Sequence, residues 1–190
     1  MITVEQKKLL DFLNNCENIV LNFAIKSGLL LFLLTILIIF FDVLTRKIGY
    51  QLPGLGSTRL QELEWHLHTA LFSFWIGVAY LKNQHVRIDL FVHSLNKVSQ
   101  AKIEFFSILV LALPFCLLSV YFSFDFALIS FLDSESSPSP NGLPYRWIPK
   151  FCIFFGLLLL LICVLINLIR LFLLLKNNKY VDIWKLPSEK

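Results

Sequence analysis

The sequence predicts an all-α integral membrane protein with four transmembrane helices and both termini in the cytoplasm. Three observations predict it. The 190 residues are 57% hydrophobic and only 16% charged, where a soluble domain carries about 25% charge. The apolar residues, nineteen phenylalanines among them, gather in four stretches near the roughly 20 residues that a spanning helix needs. Lysine and arginine are shared unevenly between the segments that join those stretches. With no water in the hydrocarbon core to satisfy the backbone, each stretch is read as a helix.

Residues 1–25 form an N-terminal cytoplasmic segment, in which LLDFLNN has the amphipathic spacing of a surface helix. No cleavable signal is expected. The apolar run begins late, is long and lacks a small-x-small cleavage site. Residues 26–175 form the membrane domain. The first span covers about 26–44, with SGLLLFLLTILIIF as its core. The turn-rich LPGLGS leads to the second span, about 63–81. A basic second loop follows. There Ile88, Phe91, Val92, Leu95 and Val98 recur at helical spacing, as in a segment lying on membrane lipid. The third span, about 103–132, would measure about 45 Å against a hydrocarbon core of about 30 Å, so it tilts or projects, with a kink at Pro114. The loop DSESSPSPNGLPYRWIP places Tyr145 and Trp147 at headgroup level before the fourth span, about 148–175. Residues 176–190 are a cytoplasmic tail.

This orientation follows from loop charges. It puts twelve lysines and arginines inside, Arg170 among them, and five outside: Arg46, Lys47, Arg59, Arg146 and Lys150. The net charge of +4 is scattered, without the basic runs and interleaved aromatics of a nucleic-acid groove, so no nucleic-acid partner is expected. Cys16, Cys116, Cys152 and Cys163 form no CxxC and read as small buried hydrophobes.

On the second span Glu62, His66, Thr69, Ser73, Gly77 and Tyr80 fall within a stripe about 80° wide. A polar, small-residue stripe reads either as a substrate path or as a packing seam. The seam is the simpler reading, because the deep part holds only Thr, Ser and Gly. The acids considered, Asp42, Glu62 and Glu64, sit at helix ends, where a charge reaches water or a partner, and no deep charge is expected. Asp42 and Arg46 are four apart and suit a pair on one face. Arg46 or Arg59 meeting Glu62 or Glu64 would clamp the first two spans. His66 and His68 lie about 200° apart on a helix, and no HExxH, nucleophile–base set or glycine-rich phosphate loop is present. No metal, haem or catalytic residue is expected.

Gln61-Glu62-Leu63-Glu64-Trp65-His66, then Gly77, Ala79 and Tyr80, then His85-Val86-Arg87-Ile88-Asp89, resemble the small (DctQ-like) membrane subunit of tripartite ATP-independent periplasmic (TRAP) transporters. Arg46 stands where that family often has an arginine after its first span. Glu135-Ser136, Gly142-Leu143-Pro144 and Arg146-Trp147 resemble the loop before the last span in one branch. Asn83-Gln84 and the SSPSP run depart from the pattern. The resemblance implies a non-catalytic scaffold in the bacterial inner membrane. It would pair with a large multi-spanning subunit that carries the sodium and substrate sites. A periplasmic binding protein would deliver an organic acid, in this branch an oxo- or hydroxy-monocarboxylate. Partner-interface or helix-end roles are then expected for Asp42, Arg46, Glu62, Glu64, His66, Ser73, Gly77, His85, Arg87, Asp89 and Arg146. The competing readings are a haem-binding electron-transfer subunit and a stand-alone small transporter or assembly factor.

Overall fold

The computed structural model describes residues 4–50, 54–84 and 95–176. Among them the regular structure is helical: α1 (Val4–Ile48), α2 (Ser57–Leu81), α3 (Lys97–Ser107), a π segment (Ile108–Ala112), α4 (Leu113–Leu132) and α5 (Trp147–Lys176). Three helical units are long and apolar enough to cross a membrane: α1, Val98–Leu132 and α5. The 25 residues of α2 include Glu62, Glu64, His66 and His68 in its first half, which lowers its mean hydropathy.

Helix α1 runs without a break through the N-terminal segment and the first apolar stretch. Its 45 residues make a rod of about 68 Å, over twice the hydrocarbon thickness. Gly49 ends it with a φ of 75°. The Gly49 N–H then reaches the Arg46 carbonyl at 3.3 Å, and the Tyr50 N–H reaches Thr45 at 3.1 Å. That is the Schellman pattern, and its left-handed residue favours glycine. Asn83 (φ 52°) ends α2 in the same way, with bonds from Asn83 and Gln84 to Tyr80 and Ala79.

Pro114 acts on the third unit through the backbone register. It has no N–H, and its ring crowds the carbonyl four residues before it. The chain responds by widening the helix just upstream, where the Leu113 N–H bonds to Ile108, five residues back. Helices α3 and α4 thus continue as one helical unit through a π turn. Pro149 causes no such change, because it lies in the first turn of α5, where N–H groups lack helical partners anyway.

The helices pack in the order α1, α2, α5, α4, with α3 and the π segment also against α5. One core cluster (Ala101, Ile108, Cys116, Leu160, Val164, Leu171) joins α3, the π segment and α4 to α5. A smaller one (Leu21, Leu81, Cys163) joins α1, α2 and α5. The outer faces of α1 and α4 expose rows of Leu, Ile and Phe. Helices in lipid gain little from burying apolar surface against each other, so close backbone approach matters more. The α2–α5 contact has it. A Cβ added to Gly156 would lie 2.6 Å from the Ser73 carbonyl carbon. Gly28 gives Trp75 its place on α1 in the same manner.

Candidate functional site

The bundle end that carries the connections 49–56 and 133–146 holds most of the polar residues singled out in the sequence. Glu62 sits one turn inside the start of α2, just before the apolar run, and is buried. A buried carboxylate must be paired. The Ser137 hydroxyl donates to one of its oxygens, and the Leu143 N–H donates to the other at 2.5 Å. Arg146 adds its charge at 3.7 Å. Ser137 and Leu143 are themselves joined, since the Ser137 N–H donates to the Leu143 carbonyl at 3.1 Å. Gly142 leaves room for this arrangement, because a Cβ there would meet Ser137 and come within 2.9 Å of the Glu62 carboxylate. The Ser137 hydroxyl holds the Glu62 carboxyl below its ordinary range. Burial opposes that, and Leu143 and Arg146 reinforce it. One side chain of α2 thereby orders a loop some 80 residues further along the chain.

The same loop is tied at its other side. Lys150 pairs with Glu135, and its hydrogen bond keeps the Glu135 carboxyl below the usual range. The Lys150 ammonium also lies 3.9 Å from the Phe126 ring centroid, and the Arg146 guanidinium lies 5.7 Å from that of Trp65. The Arg146 N–H bonds the Glu135 carbonyl at 3.0 Å.

Asp42 and Arg46 pair along α1, with Asp42 fully buried. Glu64 lies near enough to feel both their charges. A clamp from Arg46 or Arg59 to Glu62 is not what forms. Arg46 is held by Asp42, Arg59 donates to the Gly54 carbonyl at 2.7 Å, and the cation at Glu62 is Arg146. The reason is reach, since the third loop folds over the start of α2 and presents two hydrogen-bond donors as well as a charge. His66 bonds the Glu62 carbonyl one turn back and stacks on Trp65, ring centroids 4.0 Å apart.

Ser73 and Gly77 are buried where α2 meets α5. The Ser73 hydroxyl donates to the Thr69 carbonyl at 2.6 Å, so it is satisfied within its own helix. A Cβ on Gly77 would sit 3.3 Å from the Cys163 sulfur. Among the described residues no group of three or more His, Cys, Asp or Glu side chains could hold a metal ion. His85, Arg87 and Asp89 lie outside the described residues.

Two features escaped the sequence reading. Arg170 is not a loop charge, because it is buried in α5 and pairs with buried Glu17 of α1, with Asn14 accepting a further bond at 2.9 Å. The cue was an acid and an arginine, each inside an amphipathic or apolar helix. The expectation of no deep charge also fails, because Asp125 lies within α4, seven residues before its end. A single carboxylate barely lowers the hydropathy of so apolar a run.

A family model described as "Tripartite ATP-independent periplasmic transporters, DctQ component" matches residues 35–174. No curated protein and no solved structure matches the chain.

Proposed function

Because this chain belongs to the DctQ-component family of tripartite ATP-independent periplasmic transporters, we propose that it serves its transporter as a static scaffold. The family is a transporter component and not an enzyme family, and its members work with a larger membrane subunit and a binding protein. In the proposed arrangement this chain enlarges the fixed part of the membrane complex. The larger subunit carries the sodium and substrate sites, and the binding protein delivers an organic acid from the periplasm. The protein spans the inner membrane four times, with α2 as the least apolar span and both termini in the cytoplasm. The interface and helix-end roles expected for Asp42, Arg46, Glu62, Glu64, His66, Ser73, Gly77, His85, Arg87, Asp89 and Arg146 belong to this proposal.

The observation that carries the reading is the contact between α2 and α5. Gly156 brings the backbone of α5 onto Ser73, in the middle of the stripe that a substrate path would use. Close small-residue contact of this kind supports a body that moves as one piece. The Glu62 network supports the same reading at the loop end, where it ties α2 to the connection between α4 and α5.

Proteoliposomes test the division of labour. They would hold this chain, the larger subunit, or both, with the binding protein and an acid found by screening that protein. Uptake under a sodium gradient should require both membrane subunits. Uptake by this chain alone would overturn the scaffold reading.

A further inference from the structure

Asp125 stands on the wrong side of its helix for a residue serving this bundle. At 100° per residue, the buried positions of α4 (Cys116, Ser123, Ala127, Ser130) share one side, and Asp125 lies roughly 170° from their mean direction. It is exposed in the middle of an apolar face. Its neighbours on that face are Leu118, Tyr121, Phe122 and Ile129, each between 52% and 68% exposed. It lies about 10 Å along the axis from the end of α4 at Leu132, within a unit long and apolar enough to cross the membrane. It makes no hydrogen bond or ion pair with the described residues. Lys150 is engaged elsewhere, on Glu135 and over the ring of Phe126.

Lipid tails offer a carboxylate neither a donor nor a charge. Ionisable residues inside spans therefore nearly always meet protein or water. The other outward face supplies the contrast, since residues 29–41 of α1 (LLLFLLTILIIFF) contain no ionisable group. A face of that kind suits lipid.

We propose that the outward face of α4, centred on Asp125, is where the larger membrane subunit docks, and that it meets Asp125 with a lysine or arginine from one of its own membrane helices. This rests on the subunit assignment made above. The aromatic rings around Asp125 suit such a cation, which is attracted to ring faces as well as to the carboxylate. Asp125 then fixes the depth and rotation of the partner helix, while the apolar positions around it supply contact area.

The experiment is photo-crosslinking in the native membrane. A benzophenone amino acid replaces Phe122 on the α4 face or Leu37 on the α1 face, and Asp125 is left intact. After irradiation the tagged chain is purified in mild detergent and its adducts are identified by mass spectrometry. The Phe122 probe should label the larger subunit and the Leu37 probe should not. In unmodified membranes D125K should lower recovery of the larger subunit at least tenfold. An acidic replacement of the basic residue nearest the crosslink should restore it. If the larger subunit co-purifies but the Phe122 probe labels only lipid or a second copy of this chain, the docking proposal is wrong and the subunit assignment stands. If no larger subunit accompanies the wild-type chain, the assignment itself fails, and this proposal with it.

Discussion

Replacing Gly156 by alanine tests the α2–α5 seam through one added methyl group. Its Cβ would sit 2.6 Å from the Ser73 carbonyl carbon and 2.7 Å from the Ser73 Cβ, where carbon atoms ordinarily stay about 3.5–4.0 Å apart. The clash is largely with backbone, so the helices must separate by about 1 Å. Overpacking of this kind costs roughly 1–3 kcal/mol. Gly77 on the facing helix is the internal control. Its added Cβ would lie 3.3 Å from the Cys163 sulfur and 3.7 Å from the Leu160 nitrogen, which a small shift relieves. Both substitutions gain about the same helix propensity, near 1 kcal/mol, so their difference isolates packing. At about 2–4 °C per kcal/mol for a chain of this size, G156A should melt about 2–12 °C below G77A in detergent. Intrinsic fluorescence during a thermal ramp reads the difference. Equal melting temperatures, or a more stable G156A, would refute the close-contact argument.

Further outcomes follow from the ion pairs. E17Q strands the Arg170 guanidinium in the bundle and should cost about 3–5 kcal/mol, measured as the loss of folded protein on gel filtration after heating. The double variant E17M/R170M should recover most of that loss, and no recovery would argue against burial of the pair. E62A leaves the Leu143 N–H and the Ser137 hydroxyl unpaired and should cost about 2 kcal/mol, read as faster proteolysis within 133–146. Acid should act through the same loop. Glu62 and Glu135 have folded-state pKa values below their ordinary value of 4.5, so their contribution is complete above that value and is lost as pH falls through the lower folded values. A melting curve series from pH 7 to pH 3 should show the fall, and E62Q should flatten part of it. R46E places a third carboxylate beside Asp42 and Glu64 and should reduce recovery of the assembled complex, with undiminished recovery counting against the electrostatic reading.

The sequence was most legible where a local pattern decides the structure. Apolar runs marked the helices, and the small residues Ser73 and Gly77 marked the buried side of α2, because helical period and side-chain size are local properties. Pairing across the chain was less legible. The expected clamp drew on Arg46 or Arg59, but the cation at Glu62 is Arg146, and its arrival depends on how the third loop folds, 75 residues or more away. Glu17 and Arg170 are separated by 153 positions, and nothing local shows that each sits in a helix facing the other. Pro114 announced a disturbance but not its form, which is a π turn just upstream. Asp125 was missed for another reason. The sequence reading weighed charges at helix ends and on the α2 stripe, and a lone acid in α4 belonged to neither.

Isolation of the tagged chain from its native membrane in mild detergent, followed by mass spectrometry of the intact assembly, decides whether it is a transporter subunit. The account predicts one larger multi-spanning membrane protein in stoichiometric amount, with a periplasmic binding protein joining when its acid is supplied. Recovery of the chain alone, or with redox proteins and a Soret band in the visible spectrum, would contradict it.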